Sequence, residues 1–252
     1  MSAPVSPWTS WQGTALVVGC GGIGQALLQE LAQRAPQLRL VGTSRRDWRP
    51  SGDARWQAVT VLQLDLGDDG SLAQLGHHLA DLPPLRLVIH TAGLLHGPEL
   101  QPEKRLSQVC RTALERSFAV NAFGPLLLAQ AIEGCLPKAD PFHFASLSAR
   151  VGSIGDNHLG GWYAYRAAKA AQNQLLRTLA LEWRRRRPLG CVSLLHPGTT
   201  ATALSGPFQA GVPPERLFSP ERAARQLLDV LEGLQPEHSG HFWAWDGQRI
   251  PW

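Results

Sequence analysis

The chain predicts a doubly wound α/β (Rossmann) fold, a mostly parallel sheet of about seven strands with helices on both faces. Two observations carry this. Strand-like apolar runs alternate with helical patterns to the C-terminus, with no Pro/Ser-rich linker or internal repeat between them, as in successive βαβ units. The length of 252 residues also suits one large domain with a substantial core. We therefore read a single domain over 1–252, with residues 1–12 as a short leader.

Thr14–Val18 is the first apolar run, followed by Gly19-Cys20-Gly21-Gly22-Ile23-Gly24. A helical pattern then opens at about Gln25, with Ala26, Leu27, Leu28 and Leu31 on its stripe. A strand, a glycine turn and a helix N-terminus aim backbone N–H groups at a pyrophosphate. Gly19, Gly21, Gly22, Ile23 and Gly24 are thus candidate dinucleotide-binding residues. The second strand, Leu38–Thr43, runs into Ser44-Arg45-Arg46. An acid at this strand end accepts the ribose hydroxyls of NAD, but here the first acid is Asp47, too late in the turn. A guanidinium pairs with a 2′-phosphate instead. The expected cofactor is NADP(H), with Arg45 the contact and Ser44 a helper.

The apolar run Val59–Leu64 ends at Asp65, and Asp68 or Ser71 can cap the helix that follows. The run Leu85–Ile89 ends in His90-Thr91-Ala92-Gly93. A long helix is expected from about Pro102 to Gly134. Asn121 inside it is a poor mid-helix residue, and Gly124-Pro125 after it argue for a local irregularity. A strand around Phe142–Leu147 has Ser146 and Ser148 at its end. Both share strand parity; Ser148 is preferred because it lies nearer the carboxyl end, where such sheets bind ligands. A last strand, Cys191–Leu195, precedes Pro197-Gly198.

The strongest helical stretch carries Tyr165-Arg-Ala-Ala-Lys169. A spacing of four puts the phenol and the ammonium one turn apart on one face. A cation there favours the phenolate and suits the pair to proton transfer. Lysine is scarce, at Lys104, Lys138 and Lys169 only, against 21 arginines. Tyr163 is the competing tyrosine, but it has no lysine four residues on.

Other chemistries are disfavoured. Cys20, Cys110, Cys135 and Cys191 show neither CxxC spacing nor a disulfide framework, so reduced thiols and no metal site are expected. Cys20 reads as a small residue in the glycine turn. The net charge of +4 and the run Arg184–Arg187 could suggest nucleic acid. That run closes a helix before Pro188, where cations complement the dipole, so no nucleic-acid partner is expected. No stretch of about 20 apolar residues or secretory leader is read, so a cytoplasmic protein without a membrane span is expected.

In order along the chain, Gly22-Ile23-Gly24, Asp65-Leu66, Ala92-Gly93, Asn121-Ala-Phe-Gly124, Gly161–Lys169 and His196-Pro-Gly198 resemble the short-chain dehydrogenase/reductase family. Gly206–Pro213 and Asp246-Gly247…Pro251-Trp252 are similar to its C-factor-type members. The glycine turn is one residue shorter than the family's, Val18 replaces its Thr, and His90-Thr91 replaces its paired Asn. The resemblance implies an NADP(H)-dependent oxidoreductase acting on a carbonyl or alcohol. Tyr165 would be general acid/base. Lys169 would lower its pKa and hold a ribose, Ser148 would bind the substrate oxygen, and Asn121 would hold a relay water. Cofactor contacts are further implied at Asp65, Leu66, Ala92, Gly93, Tyr165, Lys169, Pro197, Gly198, Thr200 and Thr202. It implies a substrate-covering loop over Thr199–Phe218, with His96, His158 and Trp162 near the pocket. A homodimer or homotetramer through the helices around 106–136 and 163–187 is also implied. The alternative is a nucleotide-binding signalling or interaction protein of the C-factor type with little catalysis.

Overall fold

A computed structural model describes residues 6–46 and 58–252; Asp47 lies outside them. The strands are β1 (Gly13–Val18), β2 (Leu38–Ser44), β3 (Val59–Gln63), β4 (Leu85–His90), β5 (Phe142–Leu147), β6 (Gly190–His196), β7 (Thr199–Thr200), β8 (Leu217–Phe218) and β9 (His241–Ala244). The α-helices are α1 (Gly22–Arg34), α2 (Asp69–Ala80), α3 (Arg111–Phe118), α4 (Gly124–Ile132), α5 (Tyr163–Arg186) and α6 (Pro220–Glu232). Seven strands form one parallel sheet in the order β3-β2-β1-β4-β5-β6-β9, while β7 and β8 pair separately. The winding direction reverses between β1 and β4, and the carboxyl ends of those strands open a crevice there.

Each sheet face buries its own layer. Leu27 and Leu31 of α1 join Leu227 and Leu231 of α6 on one side. Leu75, Leu128, Ile132, Leu176 and Trp183, from α2, α4 and α5, cover the other. Trp183 meets Phe142 and Phe144 edge-on at 5.7 and 5.8 Å, geometry worth roughly 0.5–1.5 kcal/mol per pair beyond area burial. The residues ahead of β1 contribute too: Pro7–Ser10 form a 3-10 turn that buries Trp8 against Trp11 and His143.

Three boundaries differ from the sequence expectation. Helix α1 starts at Gly22 rather than Gln25, because extended Gly21 serves as its N-cap and Gly24 lets its first turn close on the Gly19 carbonyl. The helix expected from Pro102 starts at Arg111; the segment before it holds only a 3-10 turn, Leu106–Gln108, whose approach is tied by Lys104 N–H donating to Gln108 Oε1. Strand β6 extends one residue beyond Cys191–Leu195 at each end. The run Arg111–Cys135 is long and apolar enough to cross a membrane by length and composition, which the sequence reading missed. It is built into the fold, with Leu128, Ala129 and Ile132 in the core.

His90 and His143 are buried and His196 is half-buried, and all three are neutral: desolvation pushes them down to about 3, about 4 and about 4, nearby cations adding to the effect. The unfolded chain binds these protons from about pH 6.5 downward, so it holds more of them than the fold does between about 6.5 and 4. Stability must therefore fall as pH falls through that window, at up to roughly 1.4 kcal/mol per pH unit per histidine. Urea midpoints measured at pH 7, 6, 5 and 4.5 should decline progressively, and less steeply in His143→Gln. A flat series would show that the histidines are not held neutral.

Candidate functional site

The crevice at the β1–β4 reversal is a cleft of about 550 Å³. Gly19, Gly21, Gly22, Ile23 and Gly24 line it, with Ser44 and Arg45 from the end of β2, Asp65 and Leu66 after β3, Ala92 and Gly93 after β4, and Thr202. The structure brings these twelve candidates together on one wall-to-wall surface. Backbone geometry explains the glycines. Gly19 has φ +97°, and a Cβ there would lie 2.8 Å from the Ala92 amide nitrogen. A Cβ on Gly24 would collide with the Gly19 carbonyl, whereas one on Gly21 would meet nothing within 4 Å and project into the cleft. Thr91 closes the turn by donating its hydroxyl to the Gly19 carbonyl at 2.6 Å.

Some cleft residues were not foreseen as ligands: Arg46, Thr43, Leu94 and Val120 also line it. Arg46 was visible beside Arg45, but Val120 carries no sequence signal because only the fold brings it to the cleft. Asp65 keeps its carboxylate on the Gly67 N–H at 2.9 Å while Asp68 caps α2, so Asp65 is not the helix cap. Pro197, Gly198 and Thr200 do not line the cleft. Gly198 (φ +75°) turns the chain against Phe218, and the buried Thr200 hydroxyl reaches back towards the Pro197 and Gly198 carbonyls. Cys20 borders the cleft, yet burial pushes its thiol up to about 12, which leaves it unreactive.

Beyond the cleft, α5 presents Tyr165 and Lys169 on its buried face. Tyr165 is 8% exposed while Tyr163 is 42% exposed, which separates the two tyrosines. The N-terminus of α5 is held by Glu103, whose carboxylate accepts from Ala164 N–H at 3.2 Å and whose carbonyl accepts from Trp162 N–H. Gly160, Gly161 and Trp162 all have positive φ, so the chain enters the helix through three left-handed residues. Lys169 Nζ lies 5.7 Å from the Tyr165 ring centre and donates to the Leu147 carbonyl and to Gln172 Oε1, each at 2.9 Å.

Charge behaves differently here from the sequence expectation. Burial lifts the Tyr165 phenol above its ordinary value and depresses Lys169 to about 7. The protein alone does not lower the phenol, because the amine is tied back to β5 and α5 and shares its desolvation. At neutral pH the Tyr165 phenol keeps its proton.

Ser148 follows β5 and donates to Asn173 Oδ1 at 2.6 Å, so it must rotate away to donate to a substrate. Ser146 lies deeper, between His90 and Gln172. Asn121 sits in a single π-helical turn, Ala119–Phe123, between α3 and α4. The irregularity was legible, and the side chain fastens a neighbouring loop. Its oxygen accepts from Leu94 N–H at 2.9 Å, and its nitrogen donates to the Leu94 carbonyl and to Ser117. It clamps the loop after β4.

The segment Thr199–Phe218 arches over this region, with Thr202 against Gly22 and Phe208 4.9 Å from Trp162 and 5.9 Å from His96, ring centre to ring centre. His158 is exposed in its loop. Three of the four arginines in the run Arg184–Arg187 have protein partners: Arg186 and Arg187 reach Glu133, and Arg184 the Ser239 carbonyl.

A sequence profile of short chain dehydrogenases matches residues 13–212. The chain belongs to the short-chain dehydrogenase family. Within it, the chain is 38% identical over 148 residues to "C-signal" of Myxococcus xanthus, covering 58% of this chain and 83% of that one. It is 30% identical over 243 residues to 1-hydroxy-2-glutathionyl-2-methyl-3-butene dehydrogenase of Rhodococcus sp. strain AD45, covering 95% and 99%. Among solved structures, an NADPH-bound carbonyl reductase from chicken fatty liver superposes with a TM-score of 0.80 at 23% identity, covering 96% of this chain and all of that one. The carbonyl reductase Sniffer of D. melanogaster gives 0.78 at 21%, with the same coverage. These two share the fold.

Thr91→Val keeps the shape of the residue and removes the hydroxyl that closes the glycine turn. Loss of one neutral hydrogen bond is worth roughly 0.5–1.5 kcal/mol. Dinucleotide titration should show about three- to tenfold weaker binding with the urea midpoint only slightly lowered. Unchanged affinity would mean that the turn holds its shape without Thr91.

Proposed function

We propose that this protein is an NADP(H)-dependent carbonyl reductase, with Tyr165 as the proton donor. The observation that carries the reading is the buried Tyr165–Lys169 pair on α5, set beside a glycine-lined cleft whose far end bears Arg45 and Arg46. The cleft fits a dinucleotide. Gly21 leaves room there that a Cβ would fill, and α1 points its N-terminus at it. Gly21 to Gly24 would hold the pyrophosphate and Ser44 and Arg45 the 2′-phosphate. Asp65 and Leu66 would meet the adenine, Ala92 and Gly93 the ribose, and Thr202 the nicotinamide end. The bound cofactor supplies hydride to the carbonyl carbon. NADPH and NADP appear in the names of fold neighbours, which supports the choice.

The protein's own groups do the rest. Tyr165, protonated at neutral pH, donates to the carbonyl oxygen as charge develops on it. Ser148 turns its hydroxyl from Asn173 to the same oxygen and stabilises that charge. Lys169 holds a ribose hydroxyl with the valence left after its two protein contacts. Trp162, Phe208 and His96 give the approach an aromatic lining, which suits an apolar carbonyl compound. Phe123, Tyr163 and Leu181, exposed on the helical faces that pair in the family, support assembly as a homodimer or homotetramer. A second reading, a nucleotide-binding signalling protein, draws on the likeness to C-signal.

A panel of aromatic and aliphatic aldehydes and ketones with NADPH, followed at the nicotinamide absorbance, tests the choice. Turnover should be detected, and Tyr165→Phe should reduce kcat roughly 10²–10⁴-fold at unchanged NADPH affinity, while Tyr163→Phe stays near normal. NADPH binding without turnover on any carbonyl favours the signalling reading; a dead Tyr163→Phe with an active Tyr165→Phe overturns the assignment of the acid.

Cofactor preference has its own test. Arg45→Glu should weaken NADPH binding about ten- to a hundredfold, since a charge-assisted hydrogen bond is worth roughly 1.5–3 kcal/mol, and should leave NADH binding nearly unchanged. Equal affinity of the unmodified protein for NADPH and NADH would remove the role given to Arg45.

A further inference from the structure

Behind Lys169 lies a continuous buried polar chain that the proposed chemistry does not use. Gln172, one turn along α5, is fully buried, as are Ser146 on β5 and His90 on β4. Lys169 Nζ donates to Gln172 Oε1 at 2.9 Å. Gln172 Nε2 donates to Ser146 Oγ at 2.7 Å and to the Leu147 carbonyl at 3.2 Å. Ser146 Oγ meets His90 Nδ1 at 2.8 Å. Every link joins different secondary-structure elements or successive turns of α5, so the chain stitches the catalytic helix to the two central strands.

The donor inventory fixes the direction of each link. Both Gln172 amide hydrogens are committed to Ser146 and Leu147, so its carbonyl oxygen must face Lys169. Ser146 Oγ accepts from Gln172, and His90 Nδ1 is the one acceptor that its own hydrogen finds among the described residues, which places the His90 proton on Nε2. That nitrogen has no partner among the described residues, so the chain ends there. All donors point away from Lys169, and such a chain polarises in one sense, each bond strengthening the next. An ammonium has three donors. Leu147 O and Gln172 Oε1 take two, and one valence of Nζ is left.

We propose that Gln172 is a positioning residue: backed by Ser146 and His90, it supplies the only side-chain acceptor that Lys169 has among the described residues, and so orients Nζ with one valence free for the nucleotide. The inference rests on the reading of Tyr165 and Lys169 as the reactive pair. The titratable groups facing Nζ are Tyr165 on α5 and His90 on β4. The contacts from β5 are the neutral Ser146 and Leu147, and the turn after it packs neutral Gly152 against the Lys169 stem. Among the described residues no carboxylate offsets the cost of burying the charge, which depresses Lys169 to about 7. The Gln172 carbonyl dipole is therefore the chief side-chain support for the charged form.

The chain has three lysines, so the full-length protein grown with lysine labelled with ¹³C at Cε yields three signals. The one lost in Lys169→Arg belongs to Lys169, and its titration needs neither substrate nor turnover. Gln172→Leu keeps the volume and removes the acceptor, and should lower the Lys169 midpoint by roughly one pH unit, about a tenfold loss of proton affinity. Ser146→Ala should lower it in the same direction by less, because Gln172 then loses its anchor. Gln172→Glu restores an acceptor, now charged, and should raise the midpoint above that of the unmodified protein. Where a carbonyl substrate is in hand, the kcat profile should move with the same sign while KM for NADPH changes little in Gln172→Glu. Coincident midpoints in the unmodified protein, Gln172→Leu and Ser146→Ala overturn the proposal, as does a fall in both Gln172 variants, which marks packing damage. Failure of turnover alongside shifted midpoints would instead count against the reductase reading and leave the positioning role standing. Should Gln172→Leu fail to fold, the Ser146→Ala and Gln172→Glu midpoints decide.

Discussion

The constraint on which the site depends is the burial of a lysine with only neutral partners. Lys169 is 2% exposed in the seam between α5 and the end of β5, where an isolated charge costs several kcal/mol. The fold meets that cost in part with a main-chain carbonyl and an amide side chain, and in part by letting the amine release its proton near neutrality. The same seclusion keeps the Tyr165 phenol protonated. Phenol and amine are thus both poised by one physical cause, desolvation, acting with opposite sign on an acid and a base. Moving α5 by one residue would expose this pair, so the capping of its N-terminus by Glu103 and the packing of Trp183 near its other end belong to the chemistry as much as to stability.

Much of this was legible in the sequence because it is written in local patterns. The strand–glycine–helix run, the alternation of elements and the four-residue spacing of Tyr165 and Lys169 each depend on neighbours along the chain. The cleft residues Gly19 to Gly24, Ser44, Arg45, Asp65, Leu66, Ala92 and Gly93 fall where those patterns put them. What escaped is non-local. Glu103 lies 61 positions from the Ala164 amide it caps, and Gln172 reads as one more helical residue until Ser146 is placed beside it. The sign of the Tyr165 shift was also misjudged. A one-turn spacing shows that two groups share a face but does not show that both are shut away from water.

Asn121 illustrates a middle case. Its unsuitability in a helix was visible, as was the glycine–proline pair beyond it, and the π-helical turn answers both. The turn adds one residue to the helix, swinging Asn121 inward to grip Leu94 on both of its main-chain polar groups. A defect in one element thus becomes the fastening of another, which is the usual reason such turns occur beside functional sites. The clamped loop leads directly out of Ala92 and Gly93, so the wall of the nucleotide cleft inherits its rigidity from a helix irregularity.

The loop over the site is fastened in a different way. Its two ends are zipped by the β7–β8 ladder, Thr199 beside Leu217 and Thr200 beside Phe218. Below the zip, Phe218 is sandwiched edge-on against Trp245, with the Arg222 guanidinium 3.8 Å from its ring centre. Of the span between, the tip touches the body through Phe208 on Trp162 and through His96 on the Ala203 carbonyl. A loop clasped at its neck and latched at its tip has few degrees of freedom left: it swings as one plate about the ladder or it stays shut. Under the reductase reading, entry beneath such a loop is a gated event separable from the chemistry it covers, with the neck's aromatic stack setting the stiffness of the hinge.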